Sequence, residues 1–330
     1  MSIRLRIATF NVENLDDTPG EEPSLDERIA VMRPQLERLN ADVLCLQEVH
    51  GQKADGQHRL LALEALLENT RYVGYQKVFT VDPKTEQLER LRNTVILSRF
   101  EITDHTQYIN DPKFVESPPL YRKVTVPNQE AEEITWERPI LHAKIRLDDQ
   151  RVLDVINLHL KSKLPTDIPE QKVDRFTWRT ASGWAEGFFI SSMKRVGQAL
   201  ETRMLIDHLF DNDERALIAV CGDFNADSEE VPVEAIRGGV ENTGNGELAT
   251  RVLVPCERTI PEPARYTYLY LGRKKMIDHL LVSRPLLEFY KGSEIHNEIL
   301  HDESIAFAMD VKYPESDHAP VIAEFELPDS

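Results

Sequence analysis

The stretch ALIAVCGDFNADSEE, residues 216–230, joins a run of apolar residues to a carboxylate and an amide. The run from Ala216 to Cys221 is short, continuous and aliphatic, which is typical of a buried strand. It stops at Gly222, and Asp223 and Asn225 follow. A single strand that ends in this way would be an ordinary turn, because Asp and Asn both favour turns. The fold and the function therefore depend on whether other strands end in the same way.

Apolar runs of similar length recur along the chain and alternate with segments of helical periodicity. The strand-like runs cover residues 3–10, 42–46, 94–97, 139–147, 152–158, 277–282 and 319–325. A hairpin at residues 148–150 would join two of them. Helical spacing covers residues 24–39, 58–67 and 196–210. The first of these helices opens with a capping box, Ser24 and Glu27, and contains Pro34, which should kink or restart it. This mixture predicts an α+β layered sandwich.

The composition limits the class of protein. The 330 residues carry a formal net charge of −18, which counts against a protein that coats nucleic acid with a broad basic face. The length fits a single domain, residues 1–330. Cys45, Cys221 and Cys256 lack metal-ligand spacing, so neither a disulfide framework nor a zinc site is indicated. No stretch approaches the ~20 apolar residues of a membrane helix. We therefore expect a soluble, cytoplasmic protein with no membrane anchor and no obligate protein partner.

Polar residues also stand at the ends of other strand-like runs. Asn11, Glu48 and His159 follow such runs, and Asp317 and His318 precede the last one. Taken singly, each has an ordinary explanation as a turn, cap, surface or buried structural residue. If the strand ends share one edge of the sandwich, however, their carboxylates repel one another unless a hard cation offsets the charge. Because oxygen ligands suit Mg²⁺ or Mn²⁺, the pattern predicts a Mg²⁺ (or Mn²⁺) site.

Six motifs carry a resemblance to a known family. They are ATFNVENL (8–15), DVLCLQEV (42–49), VINLHLKSK (155–163), VCGDFNAD (220–227), MIDHLLVS (276–283) and SDHAPV (316–321). In this order they resemble the motifs of the endonuclease/exonuclease/phosphatase superfamily. The resemblance implies a four-layer α/β/β/α sandwich of two mixed, mainly antiparallel sheets flanked by helices. It also implies hydrolysis of phosphoester bonds with a divalent metal.

The resemblance further implies a role for each polar strand-end residue. The implied metal ligands are Glu48, with Asn11 beside it, and Asp317. The implied catalytic residues are His159, Asp223, Asn225, Asp278 and His318. Asp223 would orient or deprotonate the attacking water, and Asn225 would hold a phosphate oxygen. His318 would contact the phosphate or take the proton, with its tautomer set by Asp278, and His159 would donate to a phosphate oxygen or the leaving group. Whether Asp223 or His318 is the base stays open.

One position departs from the pattern of the pancreatic-type nucleases. Those enzymes place a carboxylate, the partner of the strand-end histidine, just before the third strand, where this chain has Arg92. An arginine cannot orient His159 as a carboxylate would, but it could bind a phosphate bidentately. Arg138 and Lys161 are further candidate substrate contacts. The alternative for each is a solvated surface cation.

The class of substrate is the least determined feature. A nuclease is the first hypothesis, and a hydrolase of a smaller phosphoester (a phosphoinositide, a phospholipid headgroup or a nucleotide) is the alternative. A binding module without catalysis is disfavoured, because competent residues fill the core positions. An insertion at about 163–194 carries basic residues, Trp178 and Trp184. It predicts either a surface that stacks bases and holds a strand, as a wall or lid over the site, or an aromatic-rich helix packed on the sandwich.

Overall fold

Two six-stranded sheets packed face to face form the centre of the computed structural model, which describes residues 2–328. In chain order the strands are β1 (Ile3–Leu15), β2 (Val43–Val49), β3 (Gln52–Ala54), β4 (Gln57–Arg59), β5 (Gln76–Phe79), β6 (Asn93–Ser98), β7 (Glu101–Tyr108), β8 (Leu120–Tyr121), β9 (Glu132–Glu133), β10 (Ile140–Arg146), β11 (Val152–His159), β12 (Leu217–Asp223), β13 (Leu253–Pro255), β14 (Tyr268–Tyr270), β15 (Arg273–Lys275), β16 (Asp278–Ser283), β17 (Tyr290–Ile295) and β18 (Val321–Leu327).

The helices flank these sheets. They are α1 (Leu25–Leu39), α2 (Leu61–Leu67), α3 (Ala181–Asn212), α4 (Val231–Arg237), α5 (Val240–Thr243), α6 (Arg284–Leu287) and α7 (Glu303–Met309). Short 3₁₀ segments cover Arg71–Gly74, Gly246–Arg251, Cys256–Thr259 and Glu262–Ala264. None of the helices within residues 2–328 is long and apolar enough to cross a bilayer.

Both sheets are mixed and mainly antiparallel. The first has the order β17-β18-β1-β2-β6-β5, and the second has the order β13-β16-β12-β11-β10-β7. β1 runs parallel to β2, and β11 runs parallel to β12, whereas the other neighbours are antiparallel. The remaining short strands form two-stranded ribbons, β3-β4, β8-β9 and β14-β15.

The strands alternate their side chains between two apolar layers, as a period of two requires. In β1, Leu5 and Ile7 point into the core between the sheets, whereas Ala8 and Phe10 pack against α1 and α2. In the second sheet, Ile218 of β12 faces α3 and α4 in the same way. Because helices cover the outer face of each sheet, the predicted four-layer α/β/β/α sandwich is confirmed.

The predicted hairpin and capping box are confirmed, whereas the predicted starts of two helices are wrong. The hairpin between β10 and β11 is confirmed, since Asp148 accepts hydrogen bonds from the backbone nitrogens of residues 150 and 151. The Ser24 capping box is present, and α1 runs unbroken across Pro34, so the helix does not restart there. The helix expected from residue 58 begins only at Leu61, because residues 57–59 form β4. The third helix begins at Ala181 rather than at residue 196, so half of the 163–194 stretch is helical.

Candidate active site

The second sheet delivers three predicted residues to one edge through its register. β11 and β12 are parallel neighbours, and their pairing ends with His159 opposite Asp223. β16 runs antiparallel to β12 and begins with Asp278 opposite Asp223. The carboxyl ends of two strands and the amino end of a third therefore meet at one point. Nε2 of His159 lies 3.4 Å from Oδ2 of Asp223, which is buried.

The first sheet contributes the acid Glu48 and the amide Asn11 from the facing edge. Nδ2 of Asn11 donates to Oδ2 of Asp223 at 3.2 Å, which links the two sheets across the site. Oε1 of Glu48 lies 3.4 Å from Nε2 of His159, and Oε2 accepts a hydrogen bond from the backbone nitrogen of Asn14 at 3.1 Å. Residues from separate sheets thus meet in one cleft, as the strand-end pattern predicted.

The segment before β18 completes the group because β18 runs antiparallel to β1 and therefore starts where β1 ends. Ser316 Oγ donates to the carbonyl oxygen of Asn11 at 2.7 Å and accepts from the backbone nitrogen of His318 at 3.1 Å. Nδ1–H of His318 donates to Oδ2 of Asp278 at 2.8 Å. Because a carboxylate only accepts, this bond assigns the proton to Nδ1. The other ring nitrogen, Nε2, lies 3.8 Å from Oδ1 of Asp317.

Crowded carboxylates make one half of the site acidic and short of positive charge. Burial raises the pKa of Asp223 to about 7, and the carboxylates of Asp278 and Glu48 contribute to this rise. Burial likewise raises the pKa of Asp317 to about 7, with a further contribution from Glu48. Burial would lower the pKa of His318, but the carboxylates of Asp278, Asp317 and Asp223 outweigh it and hold that pKa well above its usual range. His318 is therefore an imidazolium at neutral pH.

Cations make the other half of the site basic. Burial lowers the pKa of His159 well below its usual range, and the positive charges of Arg138, Arg92 and Lys161 lower it further. His159 is consequently a neutral imidazole. The guanidinium of Arg138 is buried and donates to the carbonyl oxygen of Leu160 at 2.9 Å. Arg92 and Arg138 line a pocket of about 160 Å³, which the acids Glu89 and Glu137 line as well.

Two sets of residues are candidates for holding a cation. The ligand atoms of Asp223, Asp278 and His318 lie within 4.8 Å of one another. His318 and Asp278 are buried and are joined by a 2.8 Å hydrogen bond through Oδ2 of Asp278, whereas Oδ1 of Asp278 has no hydrogen-bond partner within residues 2–328. Glu48 and Asp317 are instead 15% and 17% exposed in the cleft and present oxygens. Among the described residues, Oδ1 of Asp317 has no hydrogen-bond partner. We favour Glu48 and Asp317, since Mg²⁺ takes one or two carboxylates and keeps several waters.

Asn225 lies in the site but is turned toward the protein. Its backbone nitrogen donates to Oδ1 of Asp223 at 2.8 Å. Its Nδ2 donates to Oδ2 of Asp223 at 2.9 Å and to the carbonyl oxygen of Leu160 at 3.1 Å. Both amide hydrogens are therefore used, so Asn225 orients Asp223 in this arrangement. Contact between Asn225 and a phosphate oxygen stays a prediction.

Three of the five basic residues of the 163–194 stretch, all lysines, have acidic partners close by, whereas neither Arg175 nor Arg179 forms an ion pair within residues 2–328. Nζ of Lys163 lies 2.6 Å from Glu230, and Nζ of Lys194 lies 2.6 Å from Glu137. Nζ of Lys172 lies over the ring of Trp178, so that indole face is covered. These contacts favour a paired, solvated face over a surface that holds a nucleic-acid strand.

Sequence reasoning missed three residues that border the site. Glu13 accepts a hydrogen bond from the backbone nitrogen of Asp317 at 3.0 Å, and burial together with Asp317 raises its pKa to about 8. Its place two residues after Asn11 in a strand-end motif was a usable signal. Tyr268 sets its ring 5.4 Å from that of His318, and Tyr270 stacks on Tyr268 at 6.4 Å. No local pattern in the sequence indicates these tyrosines.

A four-layer sandwich with acidic, amide and His–Asp groups at the strand ends defines a class of phosphoester hydrolases. The model of the Endonuclease/Exonuclease/phosphatase family matches residues 8–318, so the chain belongs to that family and is an enzyme of this class. A comparison with curated protein sequences found no match.

Solved structures share the fold at low sequence identity. An AP endonuclease from Archaeoglobus fulgidus is 20% identical, with a TM-score of 0.54 over 97% of this chain and 99% of that one. A truncated TDP2 from Caenorhabditis elegans is 16% identical, with a TM-score of 0.56 over 98% and 97%. A 3′ phosphatase from Neisseria, bound to a product DNA hairpin, is 19% identical, with a TM-score of 0.53 over 97% and 99%. At this level of identity the likeness concerns the fold.

Proposed function

We propose that the protein is a nuclease that hydrolyses phosphodiester bonds with water, with Mg²⁺ or Mn²⁺ as the metal. One observation carries the proposal: the cleft has an acidic half and a basic half, and the His318–Asp278 pair stands among the acids. Cleavage of a phosphodiester needs a cation beside the phosphate, donors for its oxygens and a group that accepts a proton from water.

The acidic half would hold the metal through Glu48 and Asp317, and the side-chain oxygen of Asn11 would be a neutral ligand. A bound divalent cation neutralises phosphate charge and stabilises the leaving oxygen. Asp223 is assigned as the group that accepts the proton of the attacking water. Its pKa of about 7 supports this role, because a general base works best when its pKa lies near the working pH.

His318 is assigned as a donor to a non-bridging phosphate oxygen. Its raised pKa keeps it protonated, and its bond to Asp278 leaves Nε2–H free to point at the substrate. A fixed donor stabilises the negative charge that grows on the phosphate in the transition state. This assignment separates the two residues that the motifs left as alternative bases.

The basic half would bind phosphate through Arg138, Arg92 and Lys161. His159 lies between these cations and the acids, and as a neutral imidazole it donates one hydrogen bond without carrying charge. Arg92 takes the place of a carboxylate partner, so His159 is not assigned as an acid that delivers a proton to the leaving group. That group would leave with its proton supplied by solvent.

Two features support nucleic acid as the substrate. Tyr268 packs against His318, and Tyr270, which is 37% exposed, stacks on Tyr268; exposed aromatic rings next to a phosphate site are suited to stacking bases. The AP endonuclease and the 3′ phosphatase that share the fold are both named for, or seen with, DNA chemistry. A smaller phosphoester is the second candidate, because the pocket that Arg92 and Arg138 line is small, about 160 Å³.

A substrate panel tests the proposal. Purified protein would be assayed on plasmid DNA, single-stranded DNA, RNA, bis-p-nitrophenyl phosphate and inositol phosphates, each with Mg²⁺, Mn²⁺ or a chelator. We expect metal-dependent cleavage of a polynucleotide that is lost in Glu48→Ala and kept in Glu101→Ala, an exposed acid on β7 outside the site. Turnover of the generic diester or an inositol phosphate without any polynucleotide cleavage would favour the second candidate.

A further inference from the structure

Glu48 lies where β2 pairs irregularly with both of its neighbours, β1 and β6. Between β2 and β6, Leu46 pairs with Val95 and Val49 pairs with Asn93, so two residues of β2 face one residue of β6. This is a β-bulge, which leaves backbone groups of the ladder without strand partners. Glu48 itself has a φ of 61°. A non-glycine residue holds such a backbone conformation only when its surroundings enforce it.

A side chain from the opposite sheet forms hydrogen bonds with the backbone of both strands, β2 and β6, at one end of this bulge. Nδ2 of Asn157, on β11, donates to the carbonyl oxygen of Leu46 at 3.1 Å and to that of Val95 at 2.9 Å. Leu46 and Val95 form the last regular pair before the bulge. Asn157 is fully buried, so water cannot replace its two hydrogen bonds.

One side chain of the bulge also forms a hydrogen bond with Asn157. Gln47, fully buried, donates from Nε2 to Oδ1 of Asn157 at 2.7 Å. The same nitrogen lies 3.0 Å from Oγ1 of Thr9 on β1. The residue just before Glu48 is thereby tied to β1 and to β11, and Asn157 lies two positions before His159 in β11.

The surroundings of this network are apolar. Cys45, Val155, Ala219 and Cys221 fill the neighbouring core between the sheets. Apolar contacts have no directional preference, so they leave the relative position of two sheets loosely specified. Hydrogen bonds with defined geometry specify it.

We propose that Asn157 and Gln47 are positioning residues that set Glu48 in place for the metal. The proposal rests on the proposed function, because it takes Glu48 as a metal ligand. Asn157 forms hydrogen bonds with the backbone at one end of the bulge from the opposite sheet. Gln47, the residue directly before Glu48, is hydrogen-bonded to Asn157 and is therefore restrained with it. The separation of Glu48 from His159 and Asp223 then follows from three buried side chains, those of Thr9, Gln47 and Asn157.

Metal binding to purified protein tests this idea without requiring turnover. The free Mn²⁺ signal in electron paramagnetic resonance would be titrated with wild type, Asn157→Leu and Glu48→Ala. Asn157→Leu keeps the branching of the side chain at Cγ but removes both donor hydrogens. We expect it to weaken Mn²⁺ binding by about 10- to 100-fold, the usual effect of losing a group that orients a metal ligand.

A matched control separates positioning from general loss of stability. Ser283 is also fully buried, donates to the carbonyl oxygen of Ala216 and accepts from the backbone nitrogen of Ile218 at the far end of β16. Ser283→Ala should lower the melting temperature and leave the Mn²⁺ affinity at the wild-type value. Gln47→Met serves as the second variant of the network if Asn157→Leu fails to fold, and it should weaken Mn²⁺ binding as well.

The outcomes distinguish this inference from the proposed function. If Glu48→Ala abolishes Mn²⁺ binding while Asn157→Leu or Gln47→Met binds within about twofold of wild type, the positioning role is wrong and the metal site stands. An equal loss of Mn²⁺ affinity in Ser283→Ala would also overturn the positioning role. If wild type and Glu48→Ala bind Mn²⁺ equally, the assignment of Glu48 as a metal ligand fails and the positioning role falls with it.

Discussion

Replacing Asp278 by Asn tests the assignment of His318 as a protonated donor. Nδ1 of His318 and Oδ2 of Asp278 lie 2.8 Å apart, and both side chains are buried. Asn keeps the shape of Asp but removes its negative charge. It also offers an N–H to Nδ1, which favours a neutral imidazole with its proton on Nε2.

The size of the effect follows from the geometry. With the two charges spread over the ring and the carboxylate, their centres are roughly 4 Å apart, and an attraction of about 4 kcal/mol results at an effective dielectric constant of about 20. Loss of this attraction changes the protonation equilibrium of His318 by about a thousandfold, since 1.36 kcal/mol corresponds to a factor of about ten. The pKa of His318 should therefore fall, and kcat/KM at neutral pH should drop by about 10²- to 10⁴-fold, the range for loss of a positioned proton donor or acceptor.

Nuclear magnetic resonance of the imidazole nitrogens, recorded against pH in metal-free protein, measures the pKa of His318 directly. Glu257→Gln is the control, because Glu257 pairs with the neighbouring buried His279 at 2.7 Å and not with His318. The control should leave the titration of His318 as in wild type. An unchanged His318 titration in Asp278→Asn would refute the claim that this carboxylate holds the proton on His318.

Three further predictions concern the metal, the departure at Arg92 and a buried ion pair. Mg²⁺ at about 100 times its dissociation constant should raise the free energy of unfolding by about 2.7 kcal/mol in wild type and not in Glu48→Ala, measured by thermal or urea unfolding; an equal gain in both would exclude Glu48 as a ligand. Arg92→Glu should raise the pKa of His159, because it replaces a cation that lowers this pKa by an anion; a constant His159 titration would show that Arg92 acts elsewhere. His279 donates to Glu257 and to the carbonyl oxygen of Ala226. Burial lowers the pKa of His279, but the contact with Glu257 outweighs burial and raises this pKa above the unfolded value. The resulting stability is fully present below about pH 6.5 and is lost as the pH rises through the folded pKa, so the stability difference between wild type and His279→Gln should shrink with rising pH in urea titrations.

Several features of the site could be predicted because they depend on chain order and local pattern. The apolar runs mark strands, and polar residues at their ends mark Glu48, Asp223 and His318 as a group. The six motifs in order also predict the family, which the match over residues 8–318 confirms. Only part of the positively charged surroundings of His159 could be predicted from the sequence. The position of Arg92 was read from the motif, but its effect on the pKa of His159 follows from spatial proximity.

Other features are set by contacts between segments far apart in the chain. The backbone conformation that turns Glu48 toward the cleft depends on Asn157, which is 109 positions away and in the other sheet. The inward turn of Asn225 depends on the Leu160 carbonyl, and the aromatic rings beside His318 come from a separate ribbon, β14-β15. Of the two tryptophans in the 163–194 stretch, Trp178 packs against the apolar cluster that contains Ile168 and Ile190, whereas Trp184 of α3 is 47% exposed.

Local sequence pattern is sufficient to predict the apolar strands, the polar groups at their ends and the order of those groups along the chain. These are properties of neighbouring residues, because a strand shows its period of two and its terminal residue within a few positions. The packing of the two sheets, in contrast, sets which strand ends meet, which carboxylates raise one another's pKa and which side chain supports the bulge before Val49. Those properties depend on distances of a few ångströms between segments separated by a hundred residues or more, since hydrogen bonds and electrostatic interactions in a buried site act through space.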